Sequence, residues 1–160
     1  MPTRRELIAA LTAIVGEPNV LWRPEDLIVY EFDGTVETKR PHAVVFPDGA
    51  DETARIVRLC NKWQLPVTPR GAGTGLSGGS VPQRRGVVIA TARMRRILEI
   101  DAPNRIAVVE PGVPNIQLSE AVAHLGLFYA PDPSSQKACT IGGNVAENAG
   151  GPHCLALGVT

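Results

Sequence analysis

"PRGAGTGLSGG", residues 69–79, holds five glycines in eleven residues and no acid. Neither a helix nor a strand is served by that composition, because glycine weakens both. Glycine does two other things: it admits positive φ, and it lets a ligand reach the main chain with no Cβ in the way. Successive N–H groups then converge on a nest for anionic oxygens, with hydrogen bonds to charged acceptors worth roughly 1.5–3 kcal/mol each. The stretch directly follows a short strand, "LPVTP" (65–69), and in parallel α/β arrangements ligands bind beyond the carboxyl ends of strands. A pyrophosphate suits such a backbone, with Arg70 at the mouth for charge compensation and the Thr74, Ser77 and Thr140 hydroxyls as further donors.

Upstream of this loop, "AVVF" (43–46) reads as a buried strand. The helix after it opens on Asp51 and Glu52 and keeps Ala54, Val57, Cys60 and Trp63 on one face, which completes a β-α-β unit with "LPVTP". At the N-terminus Thr3 and Glu6 form a capping-box pair, Leu7, Leu11, Ile14 and Val15 share a stripe, and Gly16 suits a C-cap. These features favour an amphipathic helix of the mature protein over a twin-arginine signal. Beyond the loop, "GVVIAT" (86–91) is a strand, and "ILEID" and "IAVVEP" form an antiparallel hairpin across a turn at 102–105. Pro114 then opens a helix with Leu118, Ala121, Val122 and Leu125 on one face and Gly126 as its stop. The class is therefore α+β. One domain over 1–160 divides into an N-terminal helix and connection (1–34), a first small α/β lobe (35–85) and the start of a second (86–160), with the seam near 84–96.

A second irregular segment, "PDPSSQKACTIGGNVAENAGG" (131–151), carries no usable periodicity apart from a turn of helix expected around 144–148. Together with 69–79 it holds nine of the chain's 16 glycines, which assigns the two segments one shared task.

Other classes fall away. Sixteen basic residues balance sixteen acidic ones, so no electrostatic footprint for nucleic acid exists, and Arg93, Arg95 and Arg96 read as a solvated face. No apolar run approaches the roughly 20 residues of a membrane span. Cys60, Cys139 and Cys154 lack metal or disulfide spacing, and His153 beside Cys154 reads as a hydrogen-bonded imidazole next to a packed thiol. No Gly-Lys-Ser/Thr follows either glycine run, which excludes a phosphate-loop NTPase. Gly73, Gly75 and Gly78 match G-x-G-x-x-G, but a nicotinamide fingerprint must open a helix, and here a strand follows. Two loops that merely turn the chain need one or two glycines, not five.

"PRGAGTGLSGG", then "EPGV" (110–113), then "APDPSSQKACTIGGNVAENAGGPHCLALG" (130–158) resemble the FAD-linked oxidases of the vanillyl-alcohol-oxidase type, with their PCMH-type FAD-binding fold. Within that family the wording resembles the glycolate oxidase and D-lactate dehydrogenase branch. The resemblance implies FAD. It places Arg70, Gly71, Gly73, Thr74, Gly75, Leu76 and Gly78 around the pyrophosphate, and Pro111, Gly112 and Val113 along the adenine and ribose side. Pro131, Asp132, Ser134 and Ser135, with Thr140, Ile141, Gly142, Gly143 and Asn144, would border the pyrophosphate, ribityl chain and isoalloxazine, and Asn148, Gly150 and Gly151 continue that wall. FAD would lie extended between the lobes. Thr74 stands where covalent relatives carry a flavin-linking histidine, so the flavin is expected to be non-covalent.

The resemblance also implies hydride transfer from the α-carbon of a small 2-hydroxy acid to flavin N5, and other oxidase subunits through which the protein, expected in the reducing cytoplasm from its cysteine usage, would sit at the inner membrane. Family members run roughly three times this length. The second lobe is therefore expected to be incomplete at its C-terminus, and no catalytic side chain and no metal ligand is expected within 1–160. Two alternatives stay open at this point: a reductase of enolpyruvyl sugar nucleotides on the same flavin fold, and a non-enzymatic fragment that binds no flavin.

Overall fold

The computed structural model describes residues 2–83 and 86–160. Thr3 caps α1 (Arg4–Val15) through the capping box expected from its spacing, and Gly16 ends the helix at φ 82, a value that costs glycine nothing. Then follow β1 (Val20–Leu21), α2 (Pro24–Leu27) and a 3-10 turn, Ile28–Tyr30. β2 (Ala43–Val45), α3 (Ala50–Lys62), β3 (Val67–Arg70) and β4 (Val87–Ala90) complete the first unit. The sheet order is β1-β2-β4-β3; β1 is antiparallel to β2, and β2 and β3 both run parallel to β4.

Strand alternation explains the layers. Ala43, Val45, Val87 and Ile89 face Leu7, Leu11, Val15, Ile56 and Cys60 of α1 and α3. Val44, Val88 and Ala90 point the other way, onto Leu27 with Leu21, Tyr30 and Phe46 packed beside it. β2 and β4 are buried on both faces, which is why they read as unbroken apolar runs.

The second unit contains the expected hairpin, β5 (Ile97–Asp101) and β6 (Ile106–Val109), followed by α4 (Asn115–Val122). A 3-10 turn, Ala123–Leu125, extends α4 to Gly126, which stops it at φ 70. Next come α5 (Ile141–Ala146) and α6 (Cys154–Leu157). Val113, Leu118, Val122 and Ile141 form its core, with Ile97, Ala107 and Val109 of the hairpin against them.

The chain divides into units at Arg93 and Met94, inside the seam expected near 84–96 but later than the lobe boundary drawn at 85 and 86. β4 was assigned to the second lobe, but it inserts between β2 and β3 and is central to the first; Arg84 and Arg85 themselves lie outside the described residues. The helical turn expected around 144–148 starts earlier, at Ile141, because Thr140 caps it by accepting from the Gly143 N–H.

Candidate functional site

In the first unit the glycine run leaves the C-terminal end of β3. Gly73 and Gly78 take φ 72 and φ 82, the left-handed region that the abundance of glycine was read to serve. Among the described residues, no main-chain N–H of 71–76 donates a hydrogen bond, and Thr74 and Leu76 are exposed. A run of unspent donors with no acid in it is chemically suited to anionic oxygens. The loop is tied at its edges: the Gly34 N–H donates to Gly75 O at 2.9 Å and the Val81 N–H to Gly78 O at 3.1 Å.

Arg70 does not stand at the mouth as expected. It is 7% exposed, because alternation along β3 turns it with Thr68 onto the face that carries Leu27 and Tyr30, where its register partner is the small Ala90. Its guanidinium donates to Phe32 O at 2.7 Å and Val29 O at 3.3 Å and lies 5.5 Å from the Tyr30 ring centroid. The guanidinium is thus turned onto the 29–32 carbonyls and not out toward the mouth of the loop.

In the second unit the three remaining motifs are brought together. The Ile141 N–H donates to Val113 O at 2.8 Å, the Gly142 N–H to Pro111 O at 2.9 Å and the Gly143 N–H to Thr140 Oγ1 at 3.2 Å. All three leading N–H groups of α5 are thus spent on the protein's own "PGV" segment and N-cap. Thr140 bridges Pro114, and the Asn115 N–H donates to Cys139 O, which keeps the two segments side by side. The "PDPSS" segment folds into a turn in which Ala138 and Cys139 both donate to Ser135 O at 2.8 Å. Asp132 meets His153, with Nδ1 and Oδ2 2.5 Å apart, as the hydrogen-bonded reading of that imidazole required, whereas the thiol of Cys154 beside it is exposed and not packed as expected; the contact holds the Asp132 carboxyl below the usual range. A Cβ on Gly151 would lie 2.2 Å from Asp132 O, so bare backbone there serves packing. Asn144 is buried, and Asn148 takes φ 50.

Sequence reasoning missed Asn115, which is fully buried and donates from Nδ2 to Pro131 O at 3.0 Å. Its position directly after the helix-opening Pro114 was the available signal. It also missed Glu110, the first residue of "EPGV". Arg96 reaches its carboxylate through Nη2 at 2.6 Å, Nε at 3.0 Å and its main-chain N–H at 2.8 Å, and these bonds hold the group below the usual glutamate range.

Residues 41–160 match the FAD binding domain family. The chain belongs to that family. It is 48% identical over 158 residues to the glycolate oxidase subunit GlcD of Escherichia coli, covering 98% of this chain and 32% of the relative. To the D-lactate dehydrogenase of Archaeoglobus fulgidus it is 42% identical over 134 residues, covering 81% and 30%. The chain thus spans about a third of the length of these curated relatives. A solved alkyldihydroxyacetonephosphate synthase superposes with TM-score 0.87 at 22% identity, covering 99% of this chain and 34% of that one, which shows the shared fold. The 4-ethylphenol oxidase of Gulosibacter chungangensis superposes with TM-score 0.77 at 31% identity over 92% of this chain and 29% of its own. The expectation of a PCMH-type FAD-binding fold, with FAD as cofactor, is met.

Proposed function

We propose that the chain is the FAD-binding part of a flavin-dependent dehydrogenase of small 2-hydroxy acids, of the glycolate or D-lactate kind. The observation that carries the FAD site is the run of N–H donors at 71–76 that find no acceptor among the described residues, and the relatives at 42% and 48% identity carry the substrate class. Residues 70–78 hold the pyrophosphate through main-chain atoms, and Arg70 contributes only its backbone. In the second unit, residues 111–113, 131–135, 140–144, Asn148, Gly150 and Gly151 touch the flavin through groups other than the N–H donors of 141–143, which are already engaged.

Bound FAD supplies the two-electron acceptor that oxidation of a 2-hydroxy acid to a 2-oxo acid requires. The residues of this chain bind and orient it, and no side chain here takes the substrate proton. Thr74 offers no nucleophilic nitrogen, so attachment is non-covalent. We place the protein in the cytoplasm, at a membrane only through other oxidase subunits. Among the described residues no helix is long and apolar enough to cross a membrane, and GlcD is itself named a subunit.

Two measurements test this. Added FAD is expected to lose fluorescence on the purified protein and to be released intact by acid precipitation; a protein that leaves FAD in solution refutes the site. In the full-length gene product, anaerobic D-lactate or glycolate is expected to bleach the visible flavin band. Bleaching by a nicotinamide nucleotide instead, with no response to either acid, moves the chain to the reductase reading.

A further inference from the structure

The buried arginine beneath the glycine loop has no role in the flavin reading as it stands. Among the described residues, the guanidinium donates to main-chain carbonyls: Phe32 O, Val29 O and, at 3.5 Å, Ser80 O. Asp33 lies in the same cluster and accepts from the Thr35 N–H at 2.8 Å and the Thr35 hydroxyl at 2.7 Å. Burial raises the Asp33 carboxyl, but the Thr35 and Ser80 groups and Arg70 outweigh it and favour the charged form. Burial likewise disfavours the Arg70 cation, and Tyr30 and Asp33 oppose that.

The decisive contact is with Gly73. A Cβ at that residue would lie 2.2 Å from Arg70 Nη2 and 2.6 Å from Cζ. The loop therefore rests directly on the guanidinium, with Gly73 at φ 72, while the Gly34 N–H holds Gly75 O from the side. An aliphatic side chain at this position could fill the space but could not bind carbonyls of both the 29–33 turn and the loop's far end at Ser80.

We propose that Arg70 is a positioning residue for the flavin loop: its guanidinium, gripped by the 29–33 turn, is the floor that sets the N–H groups of 71–76 before a ligand arrives. The proposal rests on the reading of that loop as the pyrophosphate site. It assigns Gly73 two reasons to be glycine, and the nearer of them is the chain's own arginine.

Four proteins test it: wild type, Arg70→Ala, Gly73→Ala and the double variant, each measured for FAD affinity and, without flavin, for the rate of chymotryptic cleavage after the exposed Leu76. Arg70→Ala is expected to weaken FAD binding by about tenfold or more and to speed cleavage several-fold. Millimolar guanidinium, far below denaturing levels, is expected to restore part of the affinity, whereas equimolar urea is not. Gly73→Ala is expected to weaken FAD binding alone, and to do so less when Arg70 is already Ala, because the atoms it strikes are gone. Affinity of Arg70→Ala within twofold of wild type, or strict additivity of the two changes, overturns the proposal. If wild type itself takes up no FAD, the functional reading fails and the cleavage rates still decide the matter: equal rates in wild type and Arg70→Ala overturn the positioning role. Should Arg70→Ala fail to fold, Arg70→Lys replaces it, and wild-type affinity in that variant counts against the fork of carbonyl contacts.

Discussion

The Cβ that Gly142 lacks would lie 2.5 Å from Pro111 Cβ and 2.8 Å from Pro111 O, the same oxygen that accepts from the Gly142 N–H. The "PGV" and "TIGGN" motifs are thus two halves of one packed joint. Gly142→Ala is expected to destabilise the protein by about 1–3 kcal/mol, because backbone rather than a flexible side chain must move. Gly143→Ala, where the nearest atom is Thr140 Oγ1 at 3.2 Å, is expected to be far milder, since alanine recovers up to about 1 kcal/mol of helix propensity. Thermal melts of the two variants check this; equal losses contradict the joint.

Thr140 satisfies one leading N–H of α5 by side chain. Thr140→Ala is expected to cost about 1 kcal/mol and Thr140→Ser much less, because serine keeps the accepting oxygen. Urea midpoints at constant slope measure the difference, and a serine variant as weak as the alanine one rules out the cap.

The Glu110 carboxyl is depressed in the folded state by the Arg96 side chain and then by the Arg96 N–H. A depressed acid contributes stability above its unfolded value, about 4.3, and loses it as pH falls through the folded one. Glu110→Gln is therefore expected to be less stable than wild type at neutral pH, and the gap between them to narrow below about pH 4. A gap that stays constant to low pH refutes the assignment.

Thiol chemistry separates the three cysteines. Burial pushes the Cys60 thiol up to about 11 and Cys139 is also buried, whereas Cys154 is exposed. A thiol-disulfide reagent is expected to modify Cys154 rapidly in the native protein and the other two only after unfolding. Fast modification of Cys60 would contradict its burial among α1, α3 and the inner faces of β2 and β4.

Local signals carried much of this fold into the sequence. The Thr3 and Glu6 capping box, the Gly126 stop and the β5-β6 hairpin depend on neighbours a few residues apart, so pattern alone located them. The onset of α5 was displaced because Gly142 and Gly143 lower helix propensity where the helix begins. The place of β4 was hidden for another reason. Insertion between β2 and β3 pairs residues 44 and 20 positions apart, as in Ala43 with Val87 and Val67 with Val87, and no local pattern records strand order. The loop 71–76 was legible as bare backbone with free donors, but the inward turn of Arg70 was not, since its partners at 29 and 32 are set by the packed turn over the sheet.

The two glycine-rich runs look interchangeable on paper, yet among the described residues the N–H groups of 71–76 donate to no protein acceptor, whereas those of 141–143 are spent on the protein itself. A large-scale mutational screen scored by cellular protein level would therefore light up at Gly142 and Gly151 and stay dim across most of 71–76. Only a screen scored by bound flavin would reverse that picture, and the difference between the two maps would outline the ligand.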